Sequence, residues 1–299
     1  MPDLNIGTEQ RNSRTEDLDL LSAAEILRIM NEEDSNVIAA VRKALPQIEK
    51  VAAVMIRVLR QNGRIVYAGA GTSGRLGILD AVECGPTFGC TTEFTGVIAG
   101  GPDAVFRAAE GAEDSETACA EDLKAIGFCS RDLLIGISAS GRTPYVLGGI
   151  RYAHGIGAET ACICCNTATQ IGAEADHPIE VCAGPEILTG STRLKSGTCQ
   201  KIILNMLSTV SMIGTGRVYR NLMINVRPAN AKLIERCRHI VMEAAGCNYE
   251  TADEALKQTD NACGEAIVMI LLKTDAASAR RKIREADGSV RKAIGDGKI

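Results

Sequence analysis

The sequence has no tryptophan, and aromatic residues make up only 3% of it. Few rings are on hand to stack bases, which is how single-stranded nucleic acid is usually gripped. Positive charge is not in excess either. At −4 overall the chain has no field to hold nucleic acid or an anionic membrane, so an anionic ligand has to be caught by local donors. Histidine is scarce: of three, His154 and His239 fall in helical patterns and His177 precedes Pro178 at a strand edge. A serine–histidine nucleophile pair is unsupported, and no metal site is expected. Long apolar runs are missing as well. The stretch MPDLNIGTEQRNSRTEDLD lacks the apolar core of an export signal, and the longest apolar run near the C-terminus, Ile267 to Leu272, is far too short to cross a bilayer. These absences predict a cytoplasmic chain. Cysteine, by contrast, is plentiful at twelve, but it is scattered through periodic segments. Cys162, Cys164 and Cys165 sit in a run that reads as a buried strand, with no second pair at zinc spacing, so they are expected to be structural.

What the chain does have is concentrated in Arg64 to Pro86, RIVYAGAGTSGRLGILDAVECGP. Ile65, Val66 and Tyr67 meet a loop of Gly69, Gly71, Thr72, Ser73 and Gly74, and Leu76, Leu79 and Val82 follow at helical spacing: strand, tight turn, helix. Free N–H groups at a helix start, together with hydroxyls, make an anion-binding device. Read literally, Gly69 to Gly74 satisfies the dinucleotide fingerprint G-x-G-x-x-G, with Glu93 near the place of the ribose-binding acid. A second copy argues for another ligand. Gly69, Ser73, Gly74 and Arg75 reappear as Gly136, Ser140, Gly141 and Arg142, 67 residues on, in a run that includes Ser138, Thr143 and Pro144 after another buried strand. Two hydroxyl-rich loops at the ends of parallel strands suit a monophosphate on a small molecule better than a dinucleotide.

Taken in order, residues 1 to about 20 read as a polar, extended arm. Ser22 to Glu25 form a capping box that opens one helix, and a second helical pattern runs from about Asn36 to Gln61 with a kink expected at Pro46. Strands are predicted at Thr91–Ile98, Asp132–Ile137, Thr160–Cys165 and Pro178–Cys182, with helices from Pro102, from Asp114 or Ser115, and from Pro144. This alternation predicts an α/β fold: an open, mostly parallel sheet with helices on both faces. A third hydroxyl stretch, Thr189 to Thr198 with Arg193 and Lys195, precedes a helix over Gln200–Met212 and reads equally as a helix entrance or a ligand-facing segment. From Asn230 onward strands vanish, and four helical patterns (Ala231–Ala244, Tyr249–Gln258, Ala262–Leu272, Ala276–Glu285) predict a small helical domain. The expected division is an arm with helices over 1–50, a phosphate-binding domain over 51–225 and the helical domain over 235–299.

With histidine out of the way, carboxylates are the remaining acid–base candidates. Glu83 lies in the apolar stretch AVECGP, where partial desolvation would raise its pKa toward the working pH. Glu110 and Glu113 follow the second strand on the ligand side of the sheet. Helix-end charges in water is the plainer reading of all three.

At this point the residues resemble a known family. GAGTSGRLGILDAVECGPTFG, IAGG with AAEGAEDS, GISASGRTPYV and TGSTRLKSGTCQKIILNMLST are similar to the N-acetylmuramic acid 6-phosphate etherases, members of the sugar isomerase (SIS) fold group. TEQRNSRTEDLDLLS, MNEED and NLMINVRPANAKLIERCRHIV also fit, so the resemblance spans nearly the whole chain. It departs at Gly85-Pro86, where Pro-Pro is expected, and in a one-residue shortening around Cys90 to Thr95. The resemblance implies a lyase that cleaves the D-lactyl ether of its sugar phosphate by elimination and hydration, with no metal and no cofactor. It implies Glu83 as the acid that protonates lactate and then activates water, and Glu113 as the base at C2, with Glu110 on sugar hydroxyls. Thr72, Ser73, Ser138, Ser140 and Thr143 are then expected to hold the 6-phosphate, with charge added by Arg75 or Arg142. From Gly74 to Glu83 is about 13 Å along an unbroken helix, so either that helix bends or a second subunit completes the site; a homodimer is expected. The rival is a non-catalytic sugar-phosphate sensor, because the glucokinase regulator of animals is built on the same fold.

Overall fold

The computed structural model describes residues 6–295 apart from 227 and 229. The first five residues of the expected arm and the last four of the expected helical domain lie outside the described residues. Two compact units divide the chain: Met1–Val82 with Thr92–Ser208, and Glu83–Thr91 with Thr209–Ile299.

The first unit opens with two short 3-10 turns, Gly7–Glu9 and Leu18–Leu20, and then α1 (Ala23–Arg60). The capping box is present: Ser22 Oγ accepts from the backbone of Glu25, whose carboxylate accepts from Ser22 N. One helix of 38 residues stands where two were expected. Arg28 pairs with Glu32 one turn on, 2.8 Å away, which carries the helix across the expected gap. Pro46 costs about 3 kcal/mol inside a helix, but each buried member of the stripe Val37, Val41, Ile48, Val51 and Met55 returns roughly 1.5–3 kcal/mol. The stripe wins, and the helix continues.

Then follow β1 (Ile65–Gly69), α2 (Gly71–Phe88), β2 (Phe94–Ile98), α3 (Ala118–Ala125), β3 (Leu133–Ser138), α4 (Pro144–Gly155), β4 (Glu159–Cys164), α5 (Gln170–Glu174), β5 (His177–Glu180) and α6 (Lys195–Gly214). The helix expected from Pro102 is reduced to two 3-10 turns, Pro102–Val105 and Ala112–Asp114, because Gly111 at φ 74° breaks it between them. The sheet order is β2-β1-β3-β4-β5, parallel throughout. Ile65 stands beside Phe94 and Leu133, and Gly69 beside Ile98 and Ile137, so every strand delivers its C-terminal end to one edge. Val66, Leu134 and Cys162 face a core completed by Leu123, Tyr145 and Ile150 from α3 and α4. On the other face a Cβ placed on Gly77 of α2 would meet Tyr67 at 2.9 Å and Ile137 at 3.0 Å, and α1 packs against β1 and β5. Helices thus cover both faces, as the alternation of elements predicts.

In the second unit the four expected helices are α7 (Ala231–Ala245), α8 (Tyr249–Gln258), α9 (Cys263–Leu272) and α10 (Ala276–Glu285), and a short α11 (Val290–Ala293) follows. Asn230, Asn248 and Asp275 each cap their helix by accepting a backbone N–H. Cys237, Val241, Leu256, Ala266 and Ile267 form the core of this bundle. All twelve cysteines are free thiols; Cys162 and Cys164 share one face of β4, with their sulfurs 3.8 Å apart. Among the described residues no helix is long and apolar enough to cross a membrane, and no group of side chains has the make-up of a metal site.

Candidate active site

The glycine-rich segment after β1 is the first turn of a helix. α2 starts at Gly71, and Gly74 lies so close to the end of β1 that a Cβ on it would stand 2.7 Å from Gly69 O. Only glycine permits that approach. Thr72 is half-buried, whereas Ser73 is buried and its Oγ donates to Gln200 Oε1 on α6 at 3.0 Å. The Nε2 of Gln200 is buried with no partner of its own. Arg75 turns sideways: Nε donates to Val105 O at 2.9 Å and Nη2 to Arg107 O at 3.2 Å. It therefore clasps the segment that follows β2.

That segment carries the acids. Arg75, Ala70 and Gly71 line a cleft of about 180 Å³ together with Ala99, Glu110 and Glu113. Both glutamates are exposed to it, held on either side of Gly111, which takes the left-handed conformation at φ 74°. The first unit alone thus brings the β1–α2 turn, Arg75, Glu110 and Glu113 together. Glu83 sits farther along α2, in the part that belongs to the second unit, and its side chain is exposed rather than desolvated. Its carbonyl accepts the Thr87 hydroxyl at 2.8 Å.

The second loop is pinned by its own hydroxyls. Ser138 Oγ is 2.7 Å from Thr143 Oγ1 and 3.4 Å from Ser140 Oγ, and it accepts Gly141 N at 3.0 Å. Ser140 Oγ accepts Arg142 N at 3.3 Å. Ser138, Ser140, Arg142 and Thr143 are thus brought into one turn, ahead of Pro144 at the first position of α4.

Two alternatives left open by the sequence are settled here. Glu93 immediately precedes β2, at the N-terminal edge of a parallel sheet whose loops lie at the opposite edge, and its carboxylate accepts Thr92 N at 3.0 Å. It is in no position to hold a ribose, so the dinucleotide reading lapses. The third hydroxyl stretch is a helix entrance. Glu186 accepts Lys195 N at 2.9 Å and Ser196 N at 2.8 Å, placing a carboxylate on the start of α6. Lys195 is itself buried, with Nζ 2.7 Å from Glu33. Burial alone would raise the Glu33 carboxyl, but the Lys195 ammonium and hydrogen bonds from Arg14 and Asn12 outweigh it and hold that carboxyl below the ordinary range.

Sequence reasoning passed over three polar groups at this edge. Gln200 braces Ser73, and Asn166, just beyond β4, reaches the second loop. Asp80 binds Tyr67 OH, Asn205 and Ser208, tying α2 to α6, and its burial raises the carboxyl above the ordinary value against the pull of those bonds. Only Asn166, the first strongly polar residue after a buried strand, leaves a trace in the sequence.

Comparisons with known proteins agree with this geometry. A model of the glucokinase regulatory protein N-terminal SIS domain matches residues 47–154, and one of the SIS domain matches residues 129–210. Among solved structures, a phosphoheptose isomerase from Francisella tularensis is 15% identical with a TM-score of 0.51, over 64% of this chain and 100% of its own. A protein from E. coli CFT073 has a TM-score of 0.50 at 15% identity, over 67% of this chain and 97% of its own. At that identity the likeness shows the SIS fold. Curated proteins named N-acetylmuramic acid 6-phosphate etherase, from Bacillus thuringiensis subsp. konkukian (strain 97-27) and Bacillus cereus (strain G9842), are each 53% identical over 97% of this chain and 99% of theirs. Parallel sheet, hydroxyl loops, paired glutamates and full-length identity all converge, and the chain belongs to the N-acetylmuramic acid 6-phosphate etherase family.

Proposed function

We propose that Glu83 and Glu113 of this chain carry out the cleavage of the D-lactyl ether of N-acetylmuramic acid 6-phosphate, giving N-acetylglucosamine 6-phosphate and D-lactate. The observation that carries the reading is the cleft in which Glu110 and Glu113 stand beside the start of α2. The family relationship supplies the substrate. In the reaction the sugar ring opens to the aldehyde, whose carbonyl acidifies the C2 proton. Glu113 takes that proton; the electron pair left on C2 forms the C2–C3 double bond, and the C3–O bond breaks. Glu83 gives its proton to the departing lactate oxygen, then accepts one from water as the water adds to C3, and the proton on Glu113 returns to C2. Atoms balance with one water consumed, and the sequence needs no metal or cofactor.

Thr72, Ser138, Ser140 and Thr143 hold the 6-phosphate in this reading, with Ser73 contributing its backbone N–H in the first turn of α2 because its hydroxyl is given to Gln200; Arg142 adds charge, and Glu110 meets sugar hydroxyls. Arg75 acts by holding the segment that carries the glutamates. Because α2 is continuous from Gly71 through Glu83, about 13 Å of helix separates Gly74 from Glu83, so a second copy of the chain completes the site and the active form is a homodimer. The reading keeps a phosphosugar domain (51–225) and a helical domain (235–299), with the expected arm and helices (1–50) joined to the first unit through α1, and the enzyme acts in the cytoplasm, in amino sugar catabolism and cell-wall recycling.

The test is to incubate the protein with N-acetylmuramic acid 6-phosphate in heavy-oxygen water beside Glu83→Ala and Glu113→Ala. Unlabelled lactate and sugar labelled at C3, both lost in each variant, are expected; each glutamate accounts for at least about a hundredfold in rate. Sugar-phosphate binding without any lactate release refutes the enzyme reading and leaves the sensor.

A further inference from the structure

The N-terminal arm is no loose extension. Thr8, Asn12 and Thr15 are buried, which polar residues near a chain end accept only when partnered. Thr8 N donates to Asn166 Oδ1 at 3.2 Å, and Asn166 Nδ2 donates back to Thr8 Oγ1 at 3.0 Å. The same Nδ2 group lies 3.2 Å from Ala139 O and 3.3 Å from Ser140 O. Farther along, Thr15 Oγ1 donates to Ile187 O at 2.9 Å, while Asn12 and Arg14 bind Glu33 at 3.0 and 2.9 Å. The arm is therefore fastened to Asn166, Ile187 and Glu33, and the first of these in turn holds the backbone of the second loop.

We infer that Thr8 and Asn166 are positioning residues that set the direction of the second loop's N–H groups for an anionic ligand. In a planar trans peptide the C=O and the next N–H point opposite ways. Ala139 O accepts both Cys165 N, at 3.0 Å, and Asn166 Nδ2, which turns Ser140 N–H away from them, and Ser140 O, held among the described residues by Asn166 alone, turns Gly141 N–H toward Ser138 Oγ, where it is found. Gly141, at φ 75°, belongs to the residue type most free to let such a peptide flip, so the clamp is needed at this place. Among the described residues Ser140 N–H has no hydrogen-bond acceptor, as a donor kept for a ligand would not. Thr8 enters by holding the Asn166 amide in the orientation that presents Nδ2 to the two carbonyls.

This inference rests on the reading that the second loop holds the phosphate, so the experiment carries a control for that reading. Steady-state kinetics with N-acetylmuramic acid 6-phosphate, and inhibition by inorganic phosphate, are measured for Asn166→Asp, Thr8→Val, Thr8→Ser and Ser140→Ala, with thermal melting of each. Asn166→Asp keeps the shape but puts an acceptor against two carbonyls, and is expected to raise KM and the phosphate inhibition constant about tenfold with kcat little changed. Thr8→Val moves the same quantities the same way by less, and Thr8→Ser, which keeps the hydroxyl, restores them. Should Asn166→Asp fail to fold, the Thr8 pair carries the test alone. Unchanged KM and phosphate inhibition in folded Asn166→Asp or, failing that, in Thr8→Val, while Ser140→Ala weakens phosphate, overturns the clamp and spares the phosphate reading. Unchanged phosphate inhibition in Ser140→Ala removes that reading, and the clamp with it.

Discussion

Gly69–Arg75 and Gly136–Arg142 carry the same spaced residues at the ends of neighbouring parallel strands, yet one is the first turn of a helix and the other a turn held by hydroxyls. The position that decides lies two residues beyond these segments. Pro144 of the second segment corresponds to Gly77 of the first, 67 residues earlier. A residue before proline is pushed out of the helical region, and Thr143 accordingly sits at φ −51°, ψ 114°. Helix α4 cannot extend back over Ser140 and Gly141, whereas α2 runs through Ser73 and Gly74 unopposed. The difference shows that a shared motif fixes which groups arrive at a sheet edge, while a single downstream residue fixes how they point. It also gives the two segments different supports: Gln200 of α6 for the first, Asn166 and the arm for the second.

Both supports lead back to Glu33, which holds Lys195 at the start of α6 and Asn12 and Arg14 of the arm. Removing its charge is the harshest way to break the comparison. Glu33→Gln leaves the Lys195 ammonium buried and unpaired, and is expected to cost about 3–5 kcal/mol, read by urea unfolding at pH 7. The sign with pH follows from the lowered carboxyl. Stability from Glu33 is fully present above the ordinary carboxylate value of about 4 and is lost as pH falls through the lower folded value. The variant should lose that part of its acid sensitivity and keep the part due to Asp132, which burial would raise but Arg64 holds low. An acid limb identical to that of the unaltered protein would argue against Glu33 as the shared anchor.

Glycine replacement sharpens the contrast at intermediate size. Gly71 and Gly141 both have positive φ, 53° and 75°, but a Cβ on Gly71 meets nothing within 4 Å while one on Gly141 falls 2.4 Å from Thr169. Gly71→Ala should cost about 1 kcal/mol, and Gly141→Ala an additional 1–3 kcal/mol or so from overpacking. Equal melting temperatures for the two would mean that the second turn yields more easily than its hydroxyl network suggests. The smallest effect is expected from the serines. Ser138→Ala strands Gly141 N and frees Thr143 and Ser140, and should weaken inhibition by phosphate several-fold, by roughly the worth of one hydrogen bond, ~1 kcal/mol. Ser73→Ala, whose hydroxyl is already engaged by Gln200, should weaken it less. The reverse order would reassign the phosphate to the first segment.

The sheet, its helices and both hydroxyl segments were legible because each is a local signal: a β-branched run, a glycine cluster, a proline at a helix start. Tyr249–Gln258 and Ala276–Glu285 match their observed bounds because asparagine and aspartate caps mark where they begin. The misses all involve groups whose meaning depends on distant partners. The division expected between two helices, before Asn36, ignored that the chain runs on helically from Ala23 to Arg60, with Pro46 inside the helix. The extended arm ignored Asn166, 158 residues from Thr8. The role of Lys195 stayed open between a helix entrance and a ligand-facing cation because nothing near it in sequence announces Glu33, 162 residues away. Glu83 and Glu113, the pair proposed for catalysis, were acid–base candidates by elimination, but their separate roles came only from resemblance; spacing alone favoured plain charges in water.

The strand order has a consequence for the time course of synthesis. The first strand made, β1, takes its partners from β2 and β3, and β3, the middle strand of the sheet, ends only at Ser138. At a translation rate of 5–20 residues per second, roughly 4–14 s pass between the appearance of Gly69 and that of Ser138. During that interval one edge of an entirely apolar strand is open to other chains. The element already complete is α1, whose buried stripe packs against β1 in the finished fold. Both edges of β1 are taken there by β2 and β3, so α1 lies on a face of β1 and not along the edge that β3 fills; that edge is closed only once β3 has been made.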